Sequence, residues 1–124
     1  MTTSVLIVEN SQIISAGIRQ MLASHKDICV VGAVRSLNEA TEVVVELHPD
    51  VTLLDLGLAD SAVGSLDEAH TLVKLSRTVV CMSLRRPEDT VELTAALGTT
   101  QCVDKMNLSR DLPGAIREAR TLPS

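Results

Sequence analysis

The chain has no phenylalanine, tyrosine or tryptophan among its 124 residues. Because 45% of the residues are nonetheless hydrophobic, the core has to be built from aliphatic side chains and methionine. The absence of rings also removes the stacking platforms on which proteins bind the bases of single-stranded nucleic acid. The length favours one compact domain. We therefore expect a single domain with an aliphatic core.

Positive charge is also scarce. The net charge is −5, and the longest Lys/Arg run is the pair Arg85-Arg86. Since phosphate contacts need a basic face, we expect no direct nucleic-acid binding by this segment. No apolar run approaches the roughly 20 residues that span a bilayer, and no signal peptide is evident. The expectation is a protein of the cytoplasm that makes no membrane contact.

The three cysteines match neither zinc-ligand nor CxxC spacing. Cys29, Cys81 and Cys102 each lie in an apolar run, which predicts buried, reduced thiols and suits the cytoplasm. The three histidines converge with no cysteine or acidic motif, so surface positions are expected for them.

Strand-like and helix-like segments alternate along the chain. Apolar, β-branched runs predict strands at residues 5–8, 28–34, 51–54, 78–82 and 101–103. Helical spacing and capping residues predict a first helix after Asn10 or Ser11, and others at about residues 36–47, 66–75, 87–97 and 108–120. Such alternation is typical of an α/β fold, a five-stranded parallel sheet with helices on both faces. The predicted domain covers residues 1–120, with 121–124 as a tail or the start of a linker.

Polar side chains follow four of the five predicted strands. Glu9 and Asn10 follow the first strand, and Asp55, Ser83 and Lys105 follow the third, fourth and fifth. Because ligands of such sheets bind at the carboxyl ends of the strands, we expect these residues to share one rim. Carboxylates, a hydroxyl and an ammonium suit a hard cation such as Mg²⁺ together with a phosphoryl group. A carboxylate can itself accept a phosphoryl group.

This arrangement resembles the receiver domain of two-component response regulators, with its CheY-like, flavodoxin-like (βα)5 fold, over nearly the whole chain. VLIVEN resembles the first strand and acidic pair, VTLLDLGL the phosphoacceptor strand, VVCMS the strand that ends in Thr or Ser, and CVDK the strand before the family's lysine. The form ICVVGAVRSLNEA followed by HPDVTLLDL is most similar to the NarL/FixJ-type branch. Regulators of that branch usually carry a DNA-binding domain after the receiver and control transcription.

The resemblance implies the chemistry of the site. Asp55 would accept a phosphoryl group from the phosphohistidine of a histidine kinase or phosphotransfer protein. Ser83 and Lys105 would bind the phosphoryl oxygens. The family's logic implies signalling through protein contacts rather than enzymatic activity, and family habit implies a homodimer.

The resemblance also implies a metal site and a switch. Glu9, Asn10, Asp55 and the carbonyl group of Gly57 would hold Mg²⁺, although Asn10 fits a helix N-cap equally well. The switch would consist of Ser83 and of position 102, where the family has an aromatic side chain. When Ser83 moves toward the phosphate, the strand-five side chain would follow and change a partner-binding face.

Several positions depart from the family pattern. Asn10 supplies an amide in place of a second acid, Cys102 replaces the aromatic ring, and Leu84 is bulky where a small residue is usual beside the site. The loop predicted for residues 57–64 lacks the usual proline and has Ala59 there. The first hypothesis is therefore a receiver with weakened Mg²⁺-dependent phosphorylation. The second is a degenerate receiver, a phosphorylation-independent interaction or dimerisation module.

A small α/β enzyme or nucleotide-binding protein is less well supported. Neither a GxGxxG sequence nor a Walker-type loop follows the first predicted strand.

Overall fold

The computed structural model describes residues 2–59, 65–99 and 101–121. Within these ranges, strands and helices alternate as β1 Thr3–Val8, α1 Gln12–Ala23, β2 Ile28–Val34, α2 Leu37–Leu47, β3 Val51–Asp55, α3 Leu66–Leu75, β4 Val79–Ser83, α4 Val91–Leu97, β5 Cys102–Asp104 and α5 Leu108–Thr121. The strand order is β2-β1-β3-β4-β5, and each neighbouring pair runs parallel. The predicted α/β fold is confirmed.

The sheet separates two aliphatic clusters, one on each face. Helices α1 and α5 cover one face, with Ile18 and Ile116 among the buried contacts. Helices α2, α3 and α4 cover the other face, with Val44 and Leu72 among theirs. Strand β3 is buried along its whole length, as expected for a central strand covered on both faces. Aliphatic packing alone therefore fills both layers described here.

Capping residues fix the helix starts that position the site. Ser11, not Asn10, caps α1, because its hydroxyl oxygen accepts a hydrogen bond from the Ile14 amide at 3.3 Å. The predicted cap of α2 is present: the Ser36 hydroxyl oxygen accepts from the Glu39 amide at 3.2 Å, and the same hydroxyl donates to Glu39 Oε1 at 3.2 Å. Gly98 ends α4 at φ +82°, a left-handed conformation that favours glycine. None of the described helices is long and apolar enough to cross a bilayer.

The predicted fourth helix begins later than the sequence suggests. Residues Pro87–Asp89 form a short 3-10 turn, and α4 starts only at Val91. Thr90, between them, has φ −111° and ψ 3°, which interrupts the helical path. At the other end of the chain α5 runs through Thr121, one residue past the predicted domain boundary. Residues 60–64 of the predicted loop and 122–124 of the predicted tail lie outside the described residues.

Strand β2 forms one edge of the sheet. Its register with β1 passes from Val5 opposite Val30 to Leu6 opposite Gly32, so that Val31 is left out as a bulge. The side chain of Cys29 is exposed at this edge, and the prediction that all three thiols are buried was wrong for this one. An apolar run cannot show whether its strand lies at the edge or at the centre of the sheet.

Among the described residues, one buried hydroxyl group has no hydrogen bond. Thr52 in β3 is fully buried, and its Oγ1 has no partner among the described residues. Thr52→Val keeps the side-chain shape and removes a buried polar atom, so we expect it to raise the free energy of unfolding by about 1 kcal/mol. Urea unfolding followed by circular dichroism measures the change.

A matched control is Thr94→Val, since the Thr94 hydroxyl donates to carbonyl groups of its own helix. That variant should gain no stability. A Thr52→Val protein no more stable than the parent would show that the Thr52 hydroxyl is satisfied.

Candidate functional site

Three charged side chains meet where β1, β3 and β5 end. Glu9 and Lys105 directly follow β1 and β5, and Asp55 is the last residue of β3. The Lys105 ammonium nitrogen lies 2.6 Å from Glu9 Oε1 and 3.0 Å from Asp55 Oδ1. The structure thus brings together three of the residues that the sequence placed on one rim, around a single shared cation.

This triad is almost fully removed from solvent. Glu9 is 1% exposed, Asp55 8%, and the Lys105 side chain 6%. Buried charges are costly unless they are paired, and here one ammonium serves two carboxylates. Lys105 is consequently the group that makes the two acids compatible with the fold.

The two carboxyl groups differ in proton affinity. Burial raises the pKa of Glu9, and the neighbouring Asp55 carboxyl raises it further. Burial also opposes ionisation of Asp55, but its hydrogen bonds with Glu9 and Lys105 and the Lys105 charge hold its pKa below the ordinary value. The raised pKa of Glu9 and the lowered pKa of Asp55 both reflect their shared contact with Lys105 and with each other.

Asp55 is oriented by the turn that follows it. Residues Leu56–Leu58 form a 3-10 turn, and the Gly57 amide donates a hydrogen bond to Asp55 Oδ1 at 3.0 Å. A Cβ atom at position 57 would lie only 3.2 Å from that oxygen. The absence of a side chain at Gly57 thus allows the turn to close against the carboxylate.

A cavity of about 140 Å³ opens beside Asp55 and Lys105. Its lining also includes Ser83, which is buried at the end of β4 and whose hydroxyl oxygen accepts from the Arg85 amide at 3.0 Å. Leu84 forms part of the wall while 68% exposed, so it stands at the mouth rather than filling the space. A water molecule takes up about 30 Å³ in the liquid, so this cavity is larger than one water needs. Its volume suits a small polyatomic group such as phosphoryl.

Asn10 directly follows Glu9 but is not a member of the triad. It is exposed, and its backbone carbonyl accepts a hydrogen bond from Arg35 Nε at 3.2 Å. In the described part of the chain, no group of three or more His, Cys, Asp or Glu side chains is placed to hold a metal ion. Two carboxylates at one rim still fit Mg²⁺, which commonly takes one or two protein carboxylates and keeps several waters.

Cys102 is partly buried in β5, and sequence analysis did not identify its neighbour Thr90. Burial raises the pKa of the Cys102 thiol, and a hydrogen bond with the Thr90 side chain acts in the opposite direction. Thr90 is 2% exposed and precedes α4, yet its side chain makes no capping hydrogen bond to that helix. A threonine before a helix ordinarily indicates a cap, so the sequence contains no signal for this contact.

A parallel (βα)5 sheet that gathers an aspartate, a second acid and a lysine at its carboxyl edge defines a receiver-type signalling module. The sequence model of the response regulator receiver domain matches residues 5–117. The chain belongs to this family, whose members act in two-component signal transduction.

Similarity to individual proteins agrees with this assignment. The chain is 35% identical over 122 residues to the response regulator protein VraR of Staphylococcus aureus, covering 95% of this chain and 56% of VraR. It thus spans about half the length of that relative. The fold matches the response regulator domain of Thermotoga maritima CheB at a TM-score of 0.84 and 20% identity, with both chains fully covered. The receiver domain of the putative regulator NarL from Mycobacterium tuberculosis gives 0.81 at 17% identity, covering 96% of each chain.

The family sets the general properties of such a module. Receiver domains interact with histidine kinases or phosphotransfer proteins and generally bind Mg²⁺ at the phosphorylation site. Response regulator homologues are generally non-enzymatic.

Proposed function

We propose that this chain accepts a phosphoryl group on Asp55 from a histidine kinase or phosphotransfer protein, with Mg²⁺ held at Glu9 and Asp55. The observation that carries the proposal is the buried triad, in which Lys105 contacts Asp55 at 3.0 Å and Glu9 at 2.6 Å. An isolated aspartate after a strand would need neither the shared lysine nor the adjoining cavity.

Each residue has a defined part in the transfer. Asp55, kept anionic by its lowered pKa, supplies the oxygen that attacks phosphorus, while the bond from phosphorus to the donor imidazole breaks. Lys105 exchanges its contact with Asp55 for the oxygens of the transferred group, and the hydroxyl of Ser83, which lines the same cavity, donates to them. The bound metal, with the Gly57 carbonyl and Asn10 as further ligands, would neutralise charge on the phosphoryl oxygens.

An apolar groove adjoins the site and fits the approach of the phosphodonor. It is lined by Ile14 and Met21 of α1 and by Met106, which is 77% exposed. Leu84 and Lys105 line both this groove and the site cavity. Since the donor imidazole must reach Asp55 through that mouth, we infer that the donor domain packs on this groove.

The proposal is tested by intact mass after incubation with Mg²⁺ and acetyl phosphate. We expect the protein to gain the mass of one phosphoryl group and the Asp55→Ala variant to gain none. Asp67→Ala, which removes an exposed carboxylate from the first turn of α3, should be modified like the parent. Failure of the folded parent to gain mass with acetyl phosphate, or with a panel of phosphorylated donor domains, would overturn the proposal.

The exposed amide of Asn10 favours a second candidate, a phosphorylation-independent interaction module. With one acid of the pair replaced, metal binding loses a full charge while the fold and the triad are retained. Under this alternative, the Asp55→Ala variant would retain full signalling in its host and the parent would gain no phosphoryl mass.

Restoring the missing acid should strengthen metal binding. Asn10→Asp adds a negative charge directly after Glu9. If residue 10 is a metal ligand, as proposed, we expect Mg²⁺ affinity to rise about tenfold, because a charge about 4 Å from the ion contributes at least ~1 kcal/mol even in water. Arg35, hydrogen-bonded to the residue-10 carbonyl, will partly offset the gain. Isothermal titration with Mg²⁺ measures the affinity.

Asn38→Asp is the matched control, since Asn38 is an exposed amide in the first turn of α2. It should leave Mg²⁺ affinity unchanged. Equal affinities for Asn10→Asp and the parent would show that residue 10 does not contribute to the metal site.

A further inference from the structure

The second strand also leads into a charged residue at the carboxyl edge of the sheet. Arg35 directly follows β2, which lies beside β1 in the strand order. The Glu9 amide donates a hydrogen bond to the Val34 carbonyl at 3.0 Å, so the ends of β1 and β2 are joined at this point. Arg35 is thus placed next to the Glu9 turn, as a cation that sequence analysis did not identify.

The guanidinium group of Arg35 contacts the turn that leaves β1. Its Nε donates a hydrogen bond to the backbone carbonyl oxygen of Asn10 at 3.2 Å. Arg35 is exposed, and it forms no ion pair with the described residues. Its positive charge therefore lies against this turn without a carboxylate to neutralise it.

Asn10 and Arg35 change the charge of the turn in the same direction. The amide of Asn10 is neutral where a carboxylate would be negative, and Arg35 adds a positive charge to the same residue's carbonyl. Lys105 already contacts both carboxylates of the triad, at 2.6 and 3.0 Å. Because like charges repel, each of these features weakens the attraction of the two carboxylates for a divalent cation.

We propose that Arg35 is a specificity-determining residue of the phosphorylation site, which lowers the affinity of the site for divalent cations through the charge that it holds at the Asn10 carbonyl. The inference rests on the proposed function, in which Mg²⁺ is held at Glu9 and Asp55. Its consequence is that the site fills only at higher Mg²⁺ concentrations than the two carboxylates and Lys105 would require without Arg35.

Isothermal titration of the parent and of Arg35→Gln with Mg²⁺ tests the inference without any phosphodonor. We expect the variant to bind Mg²⁺ about threefold more tightly in dilute buffer, the effect that a unit charge within ~10 Å of a dication has in water. The difference should shrink toward none in about 1 M potassium chloride, where the Debye length is ~3 Å. An effect of Arg35 on the shape of the turn alone would not depend on salt in this way.

Two further variants separate the charge of Arg35 from its hydrogen bond and from the net charge of the protein. Arg35→Lys keeps the positive charge and loses the guanidinium geometry, so its Mg²⁺ affinity should equal that of the parent. Arg77→Gln removes the same charge at the opposite edge of the sheet, because Arg77 precedes β4 and its side chain is 63% exposed. It should leave Mg²⁺ affinity unchanged.

The outcomes distinguish this inference from the proposed function. Absence of Mg²⁺ binding in both the parent and Arg35→Gln would overturn the metal site of the proposed function and this inference with it. Binding of equal affinity in these two proteins would overturn the inference alone. An equal gain in Arg35→Lys would assign the effect to the lost hydrogen bond, and an equal gain in Arg77→Gln would assign it to net charge, so either result would also overturn the role of Arg35.

Discussion

Lys105→Met is expected to lower the free energy of unfolding at neutral pH by about 3 kcal/mol, the usual cost of removing one partner from a buried ion pair. Without the ammonium, Glu9 and Asp55 remain as two buried carboxylates with no counter-charge. The methionine fills similar space, so the loss is electrostatic rather than one of packing. The same variant should also accept phosphoryl groups poorly, but stability is the more direct readout.

The stability lost in Lys105→Met should be larger at neutral pH than at acidic pH. Already in the parent the pKa of Glu9 is raised above its ordinary value of 4.5, and loss of Lys105 raises it further. The folded variant then binds a proton that the unfolded chain has released, so its stability falls as pH increases through that raised pKa. The deficit relative to the parent should therefore be full at neutral pH and shrink as pH approaches 4.5.

Urea unfolding at several pH values measures the free energy of unfolding of the variant and the parent. Circular dichroism is the readout, since the chain has no tryptophan for fluorescence. Lys74→Met, at an exposed position of α3, is the control and should change stability little at any pH. The double variant Glu9→Gln with Lys105→Met should recover much of the loss. A deficit that is constant across pH would mean that packing, not charge, is what Lys105 supplies.

Leu54→Ala should cost about 3–4 kcal/mol, since truncating a fully buried leucine removes apolar contacts and leaves a cavity. Leu54 is fully buried in β3 within the cluster covered by α2, α3 and α4. The cluster contains no aromatic side chain that could reorient to fill the space, because the chain has none. The urea midpoint at constant slope gives the change in stability.

Leu47→Ala provides the comparison, because Leu47 ends α2 and is 49% exposed. It should change stability by no more than about 0.5 kcal/mol. A loss at Leu54 as small as that at Leu47 would show that the cluster repacks freely, and that its order does not depend on tight aliphatic contacts.

The sequence predicted those parts of the molecule that follow from local pattern. The bounds of α3 and the N-cap at Ser36 agree with the structure, because periodicity and caps act within a few residues. The convergence of Glu9, Asp55 and Lys105 was also predicted, because parallel topology brings strand ends together. The functional roles of these residues stay predictions.

What the sequence could not reveal depends on contacts between distant elements. Cys29 is exposed because β2 lies at the edge of the sheet, which is a property of strand order. Asn10 and Ser11 were equally good caps for α1, and only the geometry of the turn selects Ser11. Thr90 and Cys102 line one cavity between the start of α4 and β5, and neither residue type predicts that they are neighbours.

The bulge in β2 lies on an exposed edge of the sheet, where strands of other molecules could pair. The strand ICVVGAV contains no charged residue or proline, and such an uncharged sheet edge is a template on which further strands can assemble into fibrils. Leaving Val31 out of register twists the edge and interrupts its ladder of hydrogen-bonding groups. We therefore expect this one extra residue to hinder the pairing of the β2 edge with strands of other molecules at high concentration.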